Sequence, residues 1–150
     1  MQPFVWGSDA PDCTEAIWGR NGYGATANYV PTTCYAADHF LPNLDGPEPP
    51  GHGAWDALAL PGGTFLDLVG NLSEWSRDDY QLRTEPCWSA PGVMTDPVCT
   101  QASASVGLEG SYRGGAWDLG GVALEAPNVA DDEVGAQIAD VGFRCMKAGE

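Results

Sequence analysis

The sequence predicts one small domain that is low in regular secondary structure and held together by disulfides. The chain has 150 residues, a length that suits one hydrophobic core better than two. Its 20 glycines and 12 prolines interrupt the sequence every few residues, so long helices are not expected. Hydrophobic residues make up 43% of the chain, which excludes a disordered tail, and the five cysteines lie in irregular segments where disulfides are typical.

The elements expected along the chain are short. A helical turn is expected to begin at Asp12 or Thr14, and the apolar run 54–60 precedes a Pro-Gly-Gly turn. The segment 64–80 is the most structured, because FLDLVGN alternates and NLSEW then forms a strand or a turn into one. The other expected strands are GSYRGGAWD and IADVGFRCM, at 110–118 and 138–146. Loops are expected at 36–53, 82–108 and 119–137, the last with three acids at 131–133.

The net charge of −15 excludes some classes of partner. A surface this negative repels phosphate backbones and anionic membrane surfaces, so neither nucleic acid nor membrane insertion is expected. It favours metal cations and basic partners, unless the acidity only keeps the protein soluble. The sequence shows no signal peptide and no transmembrane stretch.

The cysteines indicate disulfides rather than a zinc cluster, since there is no CxxC pair and neither histidine, His39 or His52, lies near a cysteine. Cysteines 87 and 99 bracket a loop with two prolines, and cysteines 13 and 34 bracket a glycine-rich segment. The hypothesis is therefore that the pairs are Cys87–Cys99 and Cys13–Cys34, which leaves Cys145 unpaired. Oxidised cysteines predict an extracytoplasmic location, periplasmic, cell-surface or secreted.

Two short motifs each allow both a functional and a purely structural interpretation. In GNLSEW, Gly70 and Asn71 allow a left-handed turn whose carbonyls, together with Glu74, form a calcium ligand set, although exposed glutamates near turns are common. In SYRGGAWD, the Gly-Gly pair is more often part of a bulged core strand than of a reactive site. The acidic pairs at 78–79 and 131–132 are candidate acid/base pairs or simply solvated charge, and no triad partner stands near His39 or His52.

Four motifs occur in a specific order from Phe4 to Cys145: VWG, DLVGNLSEW followed by Asp78, YRGGAW and VGFRC. This order resembles the formylglycine-generating enzyme (sulfatase-modifying factor) family, whose corresponding motifs are YPWG, GNVWEW, RGGSW and GFR. The resemblance implies an α+β fold, a variant of the C-type lectin fold that is low in regular structure and often bound to calcium. It implies one domain over 1–150 that lacks the family's N-terminal part, which would supply a partner for Cys145.

The resemblance also locates the family's catalytic and metal positions. Formylglycine-generating enzymes oxidise a substrate cysteine with oxygen and Cu(I), which soft thiolates bind. The family's active-site serine and two copper cysteines correspond here to Ala116, Leu119 and Leu124, so copper is not expected. The family's calcium ligands correspond to the backbone oxygens of Val69, Gly70 and Leu72 and the carboxylate of Glu74, so calcium is expected.

The resulting expectation is a non-catalytic domain of an exported protein that acts as a binding or structural module. Its ligand, a protein or a small molecule, would bind in a groove formed by Trp75, Trp88, Trp117 and Asp118 together with the 119–137 segment. The alternative is an oxidoreductase of the formylglycine-generating or non-haem iron type. It would act on a protein or small thiol, using acids such as Asp118, Asp131 or Asp132, or a part supplied by another chain. A third reading is a fragment with no independent activity.

Overall fold

A computed structural model describes residues 4–7, 10–20, 46–95 and 97–145 of the chain. This part contains six short strands, one 3-10 helix at Gly121–Leu124 and no α-helix. The strands are β1 (Ala57–Leu60), β2 (Gly63–Leu66), β3 (Ser73–Asp79), β4 (Glu109–Arg113), β5 (Ala130–Glu133) and β6 (Val141–Gly142). The described residues therefore form short strands and loops, and they contain none of the long helices that the glycine and proline content disfavoured.

Four of the strands form the main sheet, in the order β5-β4-β3-β6. Strand β4 pairs antiparallel with both β3 and β5, while β6 runs parallel to β3. Trp75 is opposite Tyr112 in the β3–β4 pair, and Ser111 is opposite Asp131 in the β4–β5 pair. Strands β1 and β2 form a separate antiparallel hairpin in which Ala57 is opposite Leu66.

Three expectations about the elements need correction. The strand expected over 110–118 ends at Arg113, because Gly114 and Gly115 take the left-handed φ values of 94° and 70°. The strand expected over 138–146 is only Val141–Gly142. The 119–137 segment was expected to be a loop, which is wrong at Ala130–Glu133: this acidic stretch forms β5 because the edge of β4 offers its backbone groups as partners.

The described segment 10–20 has no helix. The backbone N–H and the hydroxyl of Thr14 both donate to Asp12 Oδ1, at 2.7 Å and 2.6 Å. This is a local side-chain turn of the kind that competes with helix formation. The helical turn expected at Asp12 or Thr14 is therefore a non-helical turn over residues 13–15.

The hydrophobic core lies among the loops beside the sheet. Its buried members are Phe4, Ala16, Trp18, Val69 and Leu124. Backbone hydrogen bonds join the segments around Ile17, Asn71 and Trp117, which carry or adjoin this core: Asn71 N–H donates to Ile17 O at 2.7 Å, and Trp117 N–H donates to Asn71 O at 2.9 Å. The core is thus formed by segments that are far apart in sequence and tied to one another through their backbones.

One disulfide, Cys87–Cys99, joins the ends of the loop that the sequence predicted to be bridged, with a Cα–Cα distance of 5.5 Å. Cys13 is disulfide-bonded, but its expected partner Cys34 lies outside the described residues. Cys145 is exposed and free.

Within the described part of the chain, no helix has the length and apolar character needed to cross a membrane.

Candidate functional site

A cavity of about 670 Å³ opens between the main sheet and two of the loops. Strand β4 contributes Ser111 and Arg113, and the end of β3 contributes Asp79. The turn that follows β3 forms a second side, and the segment before β5 forms a third. The residues from these two parts are Tyr80, Gln81, Leu82, Arg83, Thr84 and Trp88, then Pro127, Asn128 and Val129.

The buried carboxylate of Glu85 holds the turn that carries Trp88. It accepts hydrogen bonds from Leu82 N–H at 2.7 Å, from Ala104 N–H at 2.7 Å and from the Ser103 hydroxyl at 2.9 Å. Burial acts to raise the pKa of Glu85, but these hydrogen bonds stabilise the charged form and hold the pKa below its ordinary value. Glu85 therefore fixes the turn as a charged, fully hydrogen-bonded group.

Gln81 and the disulfide anchor the same turn from the other side. The Gln81 amide donates to the carbonyls of Gln101 and Ala102, both at 3.2 Å, and its oxygen accepts from Cys87 N–H at 2.9 Å. Because the Cys87–Cys99 bond lies beside these contacts, this side of the cavity is cross-linked both covalently and by hydrogen bonds.

Arg113 brings a positive charge to the cavity. Its side chain donates no hydrogen bond to the described residues and forms no ion pair with them. Burial lowers the pKa of Arg113, the negative charge of Asp78 raises it, and the positive charge of Arg83 lowers it again. The Arg83 guanidinium donates to the carbonyl of Pro127, which connects two sides of the cavity.

The structure separates the four groove residues expected from the sequence. Trp88 lines the cavity. Trp75 packs edge-on against Tyr112 with ring centroids 5.3 Å apart, and a Cβ at Gly110 would lie 2.9 Å from its ring. Trp117 and Asp118 follow the Gly114–Gly115 pair and do not line the cavity, and Trp117 O accepts from Arg20 N–H at 2.9 Å.

Trp117 and Asp118 leave two polar atoms buried. Trp117 Nε1 and Asp118 Oδ1 have no hydrogen-bond partner within the described residues. Burial raises the pKa of Asp118, and the nearby carboxylate of Asp140 raises it further. Burial and the neighbouring carboxylate therefore make the charged form of Asp118 less favourable than it is in water.

The three positions that the resemblance matched to the family's serine and copper cysteines hold apolar residues. Ala116 and Leu124 are both 0% exposed, and Leu124 belongs to the core cluster. Leu119 is half-buried, and its carbonyl accepts from Gly19 N–H at 2.9 Å. None of these three side chains carries an atom that binds copper.

The preceding glycines are required by close backbone packing. A Cβ at Gly114 would lie 2.7 Å from Leu68 O, and one at Gly115 would lie 2.9 Å from the backbone of Ala123. The Gly-Gly pair thus lets the chain pass between the GNLSEW turn and the 3-10 helix. This geometry gives the SYRGGAWD motif a packing role.

The GNLSEW turn has the left-handed backbone that the sequence predicted. Gly70 has a φ of 77° and Asn71 a φ of 62°, and a Cβ at Gly70 would lie only 2.5 Å from Ile17 O. The buried carboxylate of Asp56 anchors the turn by accepting from Val69 N–H at 3.0 Å. Burial raises the pKa of Asp56 from 3.8 to about 7, against the lowering effect of the Val69 hydrogen bond.

The expected calcium ligands differ in the hydrogen bonds that they already make within the protein. Outside the strand ladders, the carbonyls of Val69, Gly70 and Leu72 accept no backbone hydrogen bond from the described residues. Glu74 accepts from Arg144 Nε at 2.9 Å and 3.1 Å. The carbonyls are therefore available to a cation that prefers oxygen ligands, while the carboxylate would be shared with a guanidinium.

A metal site formed by side chains would need several acidic, histidine or cysteine groups close together. The described residues contain no group of three or more His, Cys, Asp or Glu side chains that could hold a metal ion. A site formed mainly by backbone carbonyls, as expected at the GNLSEW turn, is not a cluster of this kind.

The sequence did not indicate that Arg83, Arg113 and Tyr80 would meet in one cavity. The sequence offered one indication, the small number of basic residues. The chain has only six of them, and two line this cavity. The Pro127–Val129 side of the cavity does belong to the 119–137 segment that was expected to contribute to a binding face.

Comparison with known proteins adds one finding. The profile of the family described as the sulfatase-modifying factor enzyme 1-like domain matches residues 53–149. This stretch includes every lining residue of the cavity, the GNLSEW turn and the SYRGGAWD motif. No curated protein and no solved structure matches the chain.

Proposed function

The chain belongs to the sulfatase-modifying factor enzyme 1-like domain family, and from this premise we propose that it is a non-catalytic member that acts as a binding or structural module. The observation that carries the proposal is the apolar character of the three positions that correspond to the family's serine and copper cysteines. Ala116 and Leu124 are fully buried there, and Leu119 has no metal-binding atom. Thiol oxidation with Cu(I) needs soft ligands that these residues do not provide.

The binding site of the module is the cavity between β4, the Gln81–Trp88 turn and the segment 127–129. Its volume of about 670 Å³ lies within the usual range for small-molecule sites. It also combines an aromatic side chain, Trp88, with a small number of polar groups, which is the usual composition of such sites.

Further features of the proposal concern fold, metal and location. The family membership and the small main sheet support a fold of the formylglycine-generating enzyme type, a variant of the C-type lectin fold. Calcium would bind the GNLSEW turn through the carbonyls of Val69, Gly70 and Leu72 and the carboxylate of Glu74, as a structural ion. The Cys87–Cys99 disulfide supports an extracytoplasmic location, because such bonds persist in oxidising compartments.

The test of the proposal is an activity assay. The purified protein is loaded with Cu(I) in the presence of oxygen and incubated with a peptide that contains a CxPxR sequence. The peptide is then analysed by mass spectrometry for formylglycine. We expect no conversion above the background without protein, while an active formylglycine-generating enzyme converts the peptide in parallel. A repeat with Fe(II) addresses the iron-dependent alternative, and conversion in either incubation would refute the proposal.

A further inference from the structure

We propose that the cavity binds a small organic monocarboxylate with an apolar or aromatic body, and that Arg113 binds its carboxylate. This inference rests on the proposed function, because it names the ligand class of the same binding site. It follows from the charge, the unused hydrogen-bond donors and the preformed shape of the cavity.

The cavity lining is net positive, whereas the molecule as a whole is strongly negative. The chain has 21 acidic and 6 basic residues, yet Arg83 and Arg113 both line this one cavity. Asp79 is the only acid among the lining residues that the structure describes. The lining therefore carries one excess positive charge within a protein that is otherwise strongly negative, which favours an anion over the cationic partner that the net charge suggests.

The hydrogen-bonding capacity of Arg113 is unused within the described residues. A guanidinium has five N–H donors in a planar arrangement that matches the two oxygens of a carboxylate. Arg83, in contrast, donates to Pro127 O, and Arg144 donates to Glu74, Leu66 and Asp67. Arg113 is half-buried, so its guanidinium has lost part of its hydration. A ligand that accepts hydrogen bonds from the guanidinium would compensate for this loss.

The surrounding acids favour a single negative charge on the ligand. Asp79 lines the cavity, and Asp78 is close enough to Arg113 to raise its pKa. The single negative charge of a carboxylate balances the one excess positive charge of the lining. A phosphate dianion would add a second negative charge near these two acids, which is unfavourable in a partly buried site.

Apolar residues in the cavity lining indicate the chemistry of the rest of the ligand. Trp88, Leu82 and Val129 line the same cavity as the arginines. Aromatic side chains bury a large apolar area. An aromatic ring of the ligand that packs against Trp88 would therefore bury apolar surface and could adopt a favourable stacking geometry. The cavity thus suits a molecule with a charged end at Arg113 and an apolar or aromatic body towards Trp88.

The side that carries Trp88 is formed before any ligand arrives. Glu85, Gln81 and the Cys87–Cys99 bond hold this turn through contacts within the protein that need no ligand. A preformed site loses little conformational entropy on binding. Weak but saturable binding of a small probe is therefore expected.

The experiment compares phenylpropionate with its neutral amide, phenylpropionamide, using the full chain. Binding is measured by calorimetry and by shifts of the tryptophan indole N–H signals in NMR, with Trp88→Phe used to assign the signal of Trp88. We expect saturable binding of the acid, a shift of the Trp88 signal, and binding of the amide that is at least about tenfold weaker. This comparison needs no variant at Arg113, so it stands even if such a variant does not fold.

Variants then locate the carboxylate. Arg113→Gln is expected to weaken binding of phenylpropionate by about tenfold or more. Arg77→Gln removes the same charge from an exposed position on β3 outside the cavity lining and is expected to leave binding unchanged. Arg113→Lys is expected to restore only part of the affinity, because lysine lacks the planar pair of donors.

Several outcomes would overturn the inference. These are equal binding of acid and amide, no saturable binding of the acid up to about 10 mM, an unchanged affinity in Arg113→Gln, or tighter binding of inorganic phosphate than of the carboxylate. None of them bears on the formylglycine assay, so the ligand class can fail while the non-catalytic module stands. Conversely, formylglycine formation would refute the module whatever the cavity binds.

Discussion

Gly114 and Gly115 show how single residues determine the path of the chain beside the proposed site. Both have left-handed φ values, and both lie so close to neighbouring backbone that a Cβ would collide with it. At this point β4 ends and the chain turns into Ala116, which is fully buried, as is Leu124. The local geometry of the motif is thus explained by packing alone.

Asp118 makes stability depend on pH in a direction opposite to that of most carboxylates. Its pKa is raised in the folded protein by burial and by Asp140, so the folded state holds a proton that the unfolded chain releases. Its contribution to stability is present below the ordinary pKa and is lost as pH rises through the raised one. We expect Asp118→Asn to gain stability relative to the unmodified protein as pH rises from about 4 to 7.

The measurement is the difference in Tm between the two proteins across this pH range. A difference between Asp118→Asn and the unmodified protein that stays constant with pH, or that falls as pH rises, would contradict the assignment.

The GNLSEW turn is the element on which the calcium proposal depends. If an ion is held by the carbonyls of this turn and by Glu74, its removal leaves the carbonyls without a partner. We expect EDTA to lower Tm by about 4–8 °C, corresponding to roughly 2 kcal/mol, and added Ca²⁺ to restore it. Glu74→Gln is expected to abolish most of this response.

Arg144→Gln separates calcium binding from simple ion pairing at the same turn. Because Arg144 donates to Glu74, its removal leaves the carboxylate free for the ion, and we expect the Tm increase produced by Ca²⁺ to become larger. If the Glu74–Arg144 pair alone holds the turn, both variants will lose stability and EDTA will have no effect. That result would rule out the calcium site.

The sequence predicted the elements that depend on local pattern and missed those that depend on tertiary pairing. The left-handed turn at Gly70 and Asn71 follows from residue type, and the Cys87–Cys99 bond follows from two prolines between closely spaced cysteines. Strand β5 could not be predicted, because ADDE has low strand propensity and is held by the edge of β4. The convergence of Arg83 and Arg113 required the fold, since the two residues are 30 positions apart (113 − 83) and the chain between β3 and β4 is mainly loop.

At the scale of the whole molecule, the distribution of charge is the dominant physical property. Strands β4 and β5 place acids opposite one another or nearby, with Glu109 opposite Glu133 and Asp132 opposite Gly110. The pKa of Glu109 is raised, first through its hydrogen bond with Asp131 and then by burial and the neighbouring negative charges. Such repulsion destabilises a compact state and is relieved when salt screens it.

We therefore expect the protein to become more stable as ionic strength rises from about 10 mM to about 150 mM, over which the screening length falls from roughly 30 Å to 8 Å. The expected gain is roughly 1 kcal/mol, or about 2–4 °C in Tm for a chain of this size. Tm is measured in sodium chloride and, as a control for specific cation binding, in choline chloride. A Tm that is unchanged or lower in both salts would show that the acidic surface does not limit stability.

The burial of Leu124 sets the cost of introducing a thiol at this position. A cysteine here would remove methyl groups from the core and leave a void, at a cost of about 1–3 kcal/mol before any metal could compensate. A cysteine at position 119, which is half-buried, would disturb the packing less. Engineering a pair of thiols at these two positions would therefore require the loss of this stability, or repacking of Phe4, Trp18 and Val69, before the second thiol could bind a metal. The packing of the core thus opposes the design of a thiolate metal site by single substitutions.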